Sequence, residues 1–246
     1  MLRIITDFDG PLIDVSDRYY YVYQNCLQHA KEPNHKIKQL SKVEFWRLKR
    51  ARVPEVKIGL ISGLNLEQAI QFAHRRRKIV HSLPYLKHDR ILPGVIQTLE
   101  KIQKLNIDLA IVTMRREQEL VTAFNKYNLA RFFRSDRRYC LPNNYDKNSD
   151  IEDKLKLMTK ALGELTPATE VWMIGDTEAD IVAAKRNKVK VIGVLSGIRD
   201  RIQLEHYQPD FIVNNFSEAV ELVIAHDSVL GIGSNFLSRE WKSYLA

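Results

Sequence analysis

The 246-residue sequence predicts an α/β fold, a parallel sheet core that carries a small helical cap. Three observations point there. Short apolar runs at residues 2–6, 107–112, 171–174, 190–195 and 211–213 have the length and continuity of strands buried on both faces. Helical periodicity separates the later runs, the alternation expected of a parallel sheet. Residues 15–89 hold no comparable run and read as helices alone.

Taken in order, the first run delivers Asp7 and Asp9 into a glycine turn in the string Asp7-Phe8-Asp9-Gly10-Pro11-Leu12-Ile13-Asp14. Helical patterns follow at 17–30, 42–50 and 66–83, and the connections near Val15 and Asp89 are the expected hinges of a cap. Pro93-Gly94 then opens a segment with Val95, Ile96, Leu99 and Ile102 at helical spacing, and 117–127 and 150–162 read similarly. The expected organisation is a discontinuous core of residues 1–14 and 90–226, a cap of 15–89 and a tail of 227–246. In that tail Leu237, Trp241 and Leu245 recur every four residues, a face expected to dock on the core or on a second subunit of a homodimer. Asp7, Thr113 and Asp176 each fall just past the end of an apolar run. Open parallel sheets build their sites outside the carboxyl ends of the strands, where these three would converge.

The net charge of +8 is unevenly placed. Residues 15–89 carry 15 Lys and Arg against 6 Asp and Glu, so the whole positive excess lies in the cap. Such asymmetry attracts anions, either small phosphorylated molecules or a polyanion. The basic residues are not interleaved with aromatics in a nucleic-acid-binding pattern, which argues against nucleic acid as the partner. A nucleic-acid-binding or regulatory module is the competing reading from another class. The run His74-Arg75-Arg76-Arg77-Lys78 reads as a solvated face. So do Lys49, Arg52 and Lys57, with contact to a substrate's distal group as the alternative. Tyr19 and Tyr23 share a helical face and are expected in the cap's core. Cys26 and Cys140 are far apart and without neighbouring ligands, which suggests neither a disulfide framework nor zinc. No run near the start approaches the length of a membrane span, and no basic stretch leads into a signal-like segment. A soluble, cytoplasmic protein is expected.

Side chains two apart on a strand face the same way, so Asp7 and Asp9 would crowd one small volume. A shared proton or a cation relieves such a pair. Hard oxygen ligands beside Gly10 favour Mg²⁺ over a transition metal. The alternative is an acidic turn after a surface strand. Gly175-Asp176-Thr177-Glu178-Ala179-Asp180 follows another apolar run. Asp176 could complete the metal site, and Asp180 could orient a lysine or simply cap a helix.

These strings resemble the haloacid dehalogenase-like hydrolases, in particular their phosphoglycolate phosphatase-like branch with a helical cap between the first and second motifs. The resemblance rests on Asp7-Phe8-Asp9-Gly10, Ala110-Ile111-Val112-Thr113, a downstream lysine, and Gly175-Asp176 with Asp180. Ser62-Gly63-Leu64-Asn65-Leu66-Glu67 and Pro93-Gly94-Val95 add to it. It implies a Rossmann-like core and a Mg²⁺-dependent phosphatase acting on a small phosphorylated substrate. Asp7 would be the nucleophile and Asp9 the acid and base. Mg²⁺ would sit between Asp7, the backbone carbonyl of Asp9 and Asp176. Gly10, Thr113, the backbone N–H of Met114 and a lysine would bind the phosphoryl group. Lys154 is the expected lysine, with Lys156 the alternative. Asp9 speaks against dehalogenation, because a halide leaving group needs no proton. A sugar-phosphate mutase of the same fold stays open. Pro11 and Val15 depart from the family's usual residues, and Pro11 is expected to stiffen the turn over the site.

Overall fold

A computed structural model of the protein describes residues 1–32 and 36–231. Its strands are β1 (Leu2–Thr6), β2 (Ile13–Asp14), β3 (Arg90–Ile91), β4 (Asp108–Arg116), β5 (Arg138–Leu141), β6 (Glu170–Gly175), β7 (Lys190–Val194) and β8 (Phe211–Val213). The helices are α1 (Ser16–Ala30), α2 (Lys42–Arg50), α3 (Glu55–Ile61), α4 (Leu66–Ile79), α5 (Leu83–Leu86), α6 (Val95–Lys104), α7 (Glu117–Tyr127), α8 (Asp150–Glu164), α9 (Glu178–Arg186), α10 (Arg201–Glu205) and α11 (Phe216–Gly231).

Six strands form one parallel sheet in the order β5-β4-β1-β6-β7-β8, with β1 central. Strand alternation sends Ile4, Ile111, Trp172 and Ile174 to one face, against Leu99 of α6, Phe124 of α7 and Val220 of α11. Ile5, Ala110, Val112 and Met173 face the other way, against Met158 of α8 and Ile181 of α9. Both faces are covered, which explains why these strands read as continuous apolar runs. The expected α/β fold, a Rossmann-like parallel sheet flanked by helices, is therefore present.

Helices α1 to α4 gather around a separate apolar cluster of Val22, Tyr23, Phe45, Ile58 and Phe72. Capping boxes start α2 at Ser41 with Glu44 and α4 at Asn65 with Gln68, so local sequence sets both helix starts. The helical pattern expected over 66–83 is split, since α4 stops at Ile79 and the short α5 follows. The two chain crossings between sheet and helices pair as a small antiparallel ribbon, Ile13 with Ile91 and Asp14 with Arg90.

Three further differences from the sequence reading have plain causes. Strand β5 is an edge strand beginning Arg138-Tyr139, and it lacks the apolar run that marked the others. Strand β4 runs on through Thr113 to Arg116, because pairing with β5 resumes at Arg116 after a register shift. Thr113 thus sits inside a strand, not beyond its end. Helix α11 crosses residue 227 and reaches Gly231. Leu237, Trp241 and Leu245 lie outside the described residues. No helix among the described residues is long and apolar enough to cross a membrane.

Candidate active site

The carboxyl ends of β1, β4 and β6 open into a cavity of about 560 Å³, whose lining includes Asp7, Thr113, Met114, Lys154 and Asp176, with Lys49 and Arg76 from the cap helices. Asp7 follows β1 directly, and its N–H donates to Ile174 O at 2.8 Å, the last bond of that ladder. Asp176 follows β6, where Ile198 N–H donates to its Oδ2 at 2.7 Å. The Asp176 carboxylate lies against bare backbone. A Cβ on Gly10 would come within 2.2 Å of it, and one on Gly197 within 1.9 Å. Gly10 also has φ +96°, where a side chain is strained, so this glycine serves both the turn and the carboxylate.

Oxygen atoms of Asp7, Asp176 and Asp180 all lie within 4.8 Å of one another. Lys154 on α8 is buried among them, with Nζ 2.9 Å from Asp7 Oδ1 and 2.7 Å from Asp180 Oδ1. Lys156 points outward and is exposed. Asp180 combines both of its sequence readings. Its Oδ2 accepts from Thr177 N–H at 3.1 Å and from Thr177 Oγ1 at 2.7 Å, closing the N-terminus of α9. Its Oδ1 holds the lysine.

One lysine cannot neutralise three buried carboxylates. Burial, opposed by Lys154 and reinforced by Asp180, raises the Asp7 carboxyl to about 7. Burial and then the charges of Asp180 and Asp7 raise Asp176 well above the carboxylate range. Asp176 Oδ1 is buried without a hydrogen-bond partner. A hard oxygen set short of positive charge fits Mg²⁺. Asp176 Oδ1 and the second oxygen of Asp7 are left to hold it, since Lys154 and Thr177 take both oxygens of Asp180 while Lys154 meets only Oδ1 of Asp7.

Asp9 lines the same cavity but is paired with arginines rather than with Lys154. Its Oδ2 accepts from Arg18 Nη2 at 2.8 Å, and its Oδ1 from Arg115 Nε at 2.8 Å and Nη2 at 2.6 Å. Asp89 pairs with both arginines, with Arg18 Nε 3.0 Å from its Oδ1 and Arg115 on its Oδ2. Burial would raise the Asp9 carboxyl, but Arg115 and Arg18 outweigh it and hold the group well below the usual range. Asp89, more weakly compensated, is pushed by burial up to about 6.

Sequence reasoning missed Arg18, Arg115 and Asp89. Signals existed: Arg18 lies four residues before buried Val22 on α1, and Arg115 lies two past Thr113 on the same strand face. Asp89 immediately precedes β3, at the cap's second crossing.

The basic cap also differs from its expected solvated role. Arg76 is only 6 % exposed and lies inward, unlike its neighbours Arg75 and Arg77. Lys49 is likewise turned inward, its side chain 12 % exposed. Arg52 and Lys57 are exposed as expected, though Arg52 Nη2 reaches Glu178 at 3.2 Å. Tyr23 is in the cap's core as expected, and Tyr19 packs against that core while also lining the cavity. At the Pro11 turn Gly10 N–H donates to Ile13 O at 2.9 Å. Val15 offers α1 no side-chain cap, and Asp14 Oδ1 accepts from Ser16 N–H at 2.8 Å instead.

The sequence and the fold have counterparts. Over 225 residues the chain is 24% identical to the pyrophosphatase PpaX of Bacillus velezensis, covering 89% of this chain and 94% of that protein. Over 223 residues it is 26% identical to a phosphoglycolate phosphatase of Agrobacterium fabrum, covering 87% and 88%. A solved haloacid dehalogenase-like hydrolase from Streptococcus pneumoniae superposes with a TM-score of 0.64 at 18% identity, covering 90% of this chain and 98% of that one. The family model described as haloacid dehalogenase-like hydrolase matches residues 4–194, and the chain belongs to that family.

Proposed function

We propose that the protein is a Mg²⁺-dependent cytoplasmic phosphatase that hydrolyses a small phosphorylated metabolite, phosphoglycolate-like or a sugar phosphate, through an aspartyl-phosphate on Asp7. The observation that carries this reading is the convergence of Asp7, Thr113, Lys154 and Asp176 from four separate segments on one cavity beneath a basic cap. The names of the two relatives, a phosphoglycolate phosphatase and a pyrophosphatase, agree with phosphoryl chemistry. On this reading residues 1–14 and 90–226 are the catalytic core and 15–89 the cap that selects substrate.

Asp7 attacks phosphorus and the ester oxygen leaves; water then attacks the aspartyl-phosphate and regenerates the carboxylate. Lys154 and the Thr113 hydroxyl donate to phosphoryl oxygens, where charge grows in the transition state. Bound Mg²⁺, held by Asp7, Asp176 and the Asp9 carbonyl, supplies charge neutralisation. Asp9 ionised between two guanidinium groups suits the step that takes a proton from water. Giving a proton to the leaving oxygen requires it to part from them, and Arg18 belongs to the cap. The test is hydrolysis of p-nitrophenyl phosphate. Activity should require Mg²⁺ and fall by at least about a thousandfold in Asp7→Asn. Full activity in that variant overturns the mechanism.

A further inference from the structure

The cap carries a buried guanidinium that the chain leaves half unpaired. Arg76 Nη1 lies 2.7 Å from Glu55 Oε1, and Lys49 Nζ shares that same oxygen. One carboxylate therefore serves two cations. Arg76 Nε and Nη2 are buried with no hydrogen-bond partner. Those two N–H groups lie on one edge of the guanidinium, the fork that binds a carboxylate or phosphate through two parallel hydrogen bonds. Both Arg76 and Lys49 line the cavity that holds Asp7. The Tyr19 ring braces them, with Arg76 Cζ 4.8 Å and Lys49 Nζ 5.9 Å from its centroid.

A buried, under-compensated cation is strongly disfavoured unless something pairs with it. Lys49 and Arg76 share the one Glu55 carboxylate, so this corner of the cavity carries two positive charges against one negative. Burial, together with Arg76 and against Glu55, already lowers Lys49 to about 8, a sign that this corner lacks negative charge.

We propose that Arg76, supported by Lys49, is a specificity-determining subsite for a second anionic group on the substrate, a carboxylate or a second phosphate, at the end remote from the scissile phosphoryl. This rests on the phosphatase reading and narrows it. Phosphoesters whose distal end is neutral, such as simple sugar monophosphates, become poor substrates.

The test uses matched ester pairs with the full-length protein and Mg²⁺. One pair is 2-phosphoglycolate and its amide; the other is propane-1,3-diol bisphosphate and the monophosphate. Wild type should favour the charged member of at least one pair by about thirtyfold or more in kcat/KM, chiefly through KM. Which pair shows the larger ratio tells carboxylate from phosphate. Arg76→Gln should shrink that ratio to below about threefold, Lys49→Gln should shrink it partly, and Arg76→Lys should restore some of it. A ratio cancels any general loss of activity. Wild-type ratios near one for both pairs, or ratios unchanged in Arg76→Gln and Lys49→Gln, overturn the subsite. If the protein with Mg²⁺ hydrolyses none of these esters and no p-nitrophenyl phosphate, the phosphatase reading falls. The same pairs titrated calorimetrically then test the subsite alone, through the ratio of Kd values.

Discussion

Replacing Lys154 with methionine removes the one ammonium that touches both Asp7 and Asp180 while keeping the side chain's length and apolar stem. Its Nζ lies 2.9 and 2.7 Å from the two carboxylates, and the side chain is 1 % exposed. Breaking a buried pair from one side leaves its partner uncompensated and costs about 3–5 kcal/mol. Here two partners are stranded, and Asp176 Oδ1 nearby has no donor of its own, so the upper half of that range is expected. For a chain of this size 1 kcal/mol moves Tm by roughly 2–4 °C, so metal-free Lys154→Met should melt about 8–20 °C below wild type. Saturating Mg²⁺ should recover part of the loss, because it neutralises the same oxygens and binds only the folded site. Circular dichroism melts in EDTA and in Mg²⁺ measure both effects. Lys156→Met, on an exposed position two residues away, should stay within about 0.5 kcal/mol. A metal-free Lys154→Met that melts with wild type refutes the claim that this lysine compensates the acidic cluster.

Asp7 is raised from 3.8 to about 7, so between those values the native state binds a proton that the unfolded chain has lost. Its contribution to stability is therefore full below about pH 4 and is lost as pH rises to about 7. Asp176 shifts in the same direction. Metal-free protein should unfold at lower denaturant at pH 7.5 than at pH 5.5, and Mg²⁺ should flatten the difference; rising metal-free stability across that interval would contradict it. Mg²⁺ affinity itself should increase with pH, with proton release detectable by titration in buffers of different ionisation enthalpy. Gly10→Ala should weaken Mg²⁺ binding at least about tenfold and lower stability by roughly 1–3 kcal/mol, because its Cβ would sit 2.2 Å from Asp176 Cγ at a φ of +96°. Wild-type Mg²⁺ affinity in that variant would show that the carboxylate can move aside freely.

What the amino-acid sequence determines by itself here is local. Residues 2–6 and 171–174 are short apolar runs of the kind buried on both faces, and these runs, with the turn glycine after Asp9, mark both strands and the acids that follow them. The capping boxes at Ser41 and Asn65 are equally local. Only the tertiary structure decides which charges are buried, since burial of a charge depends on partners distant in the chain. Arg115 is 106 residues from Asp9, and Arg18 is 63 from His81, which it also approaches. Lys154 and Lys156 are indistinguishable as letters, yet the rotation of α8 turns one to the acidic cluster and the other to water. Arg76, one of four consecutive basic residues, lies inward because helix α4 presents that position to the cavity and to Glu55. Edge strand β5 escapes notice for a related reason: what stabilises it is pairing with β4, and pairing leaves no apolar signature of its own.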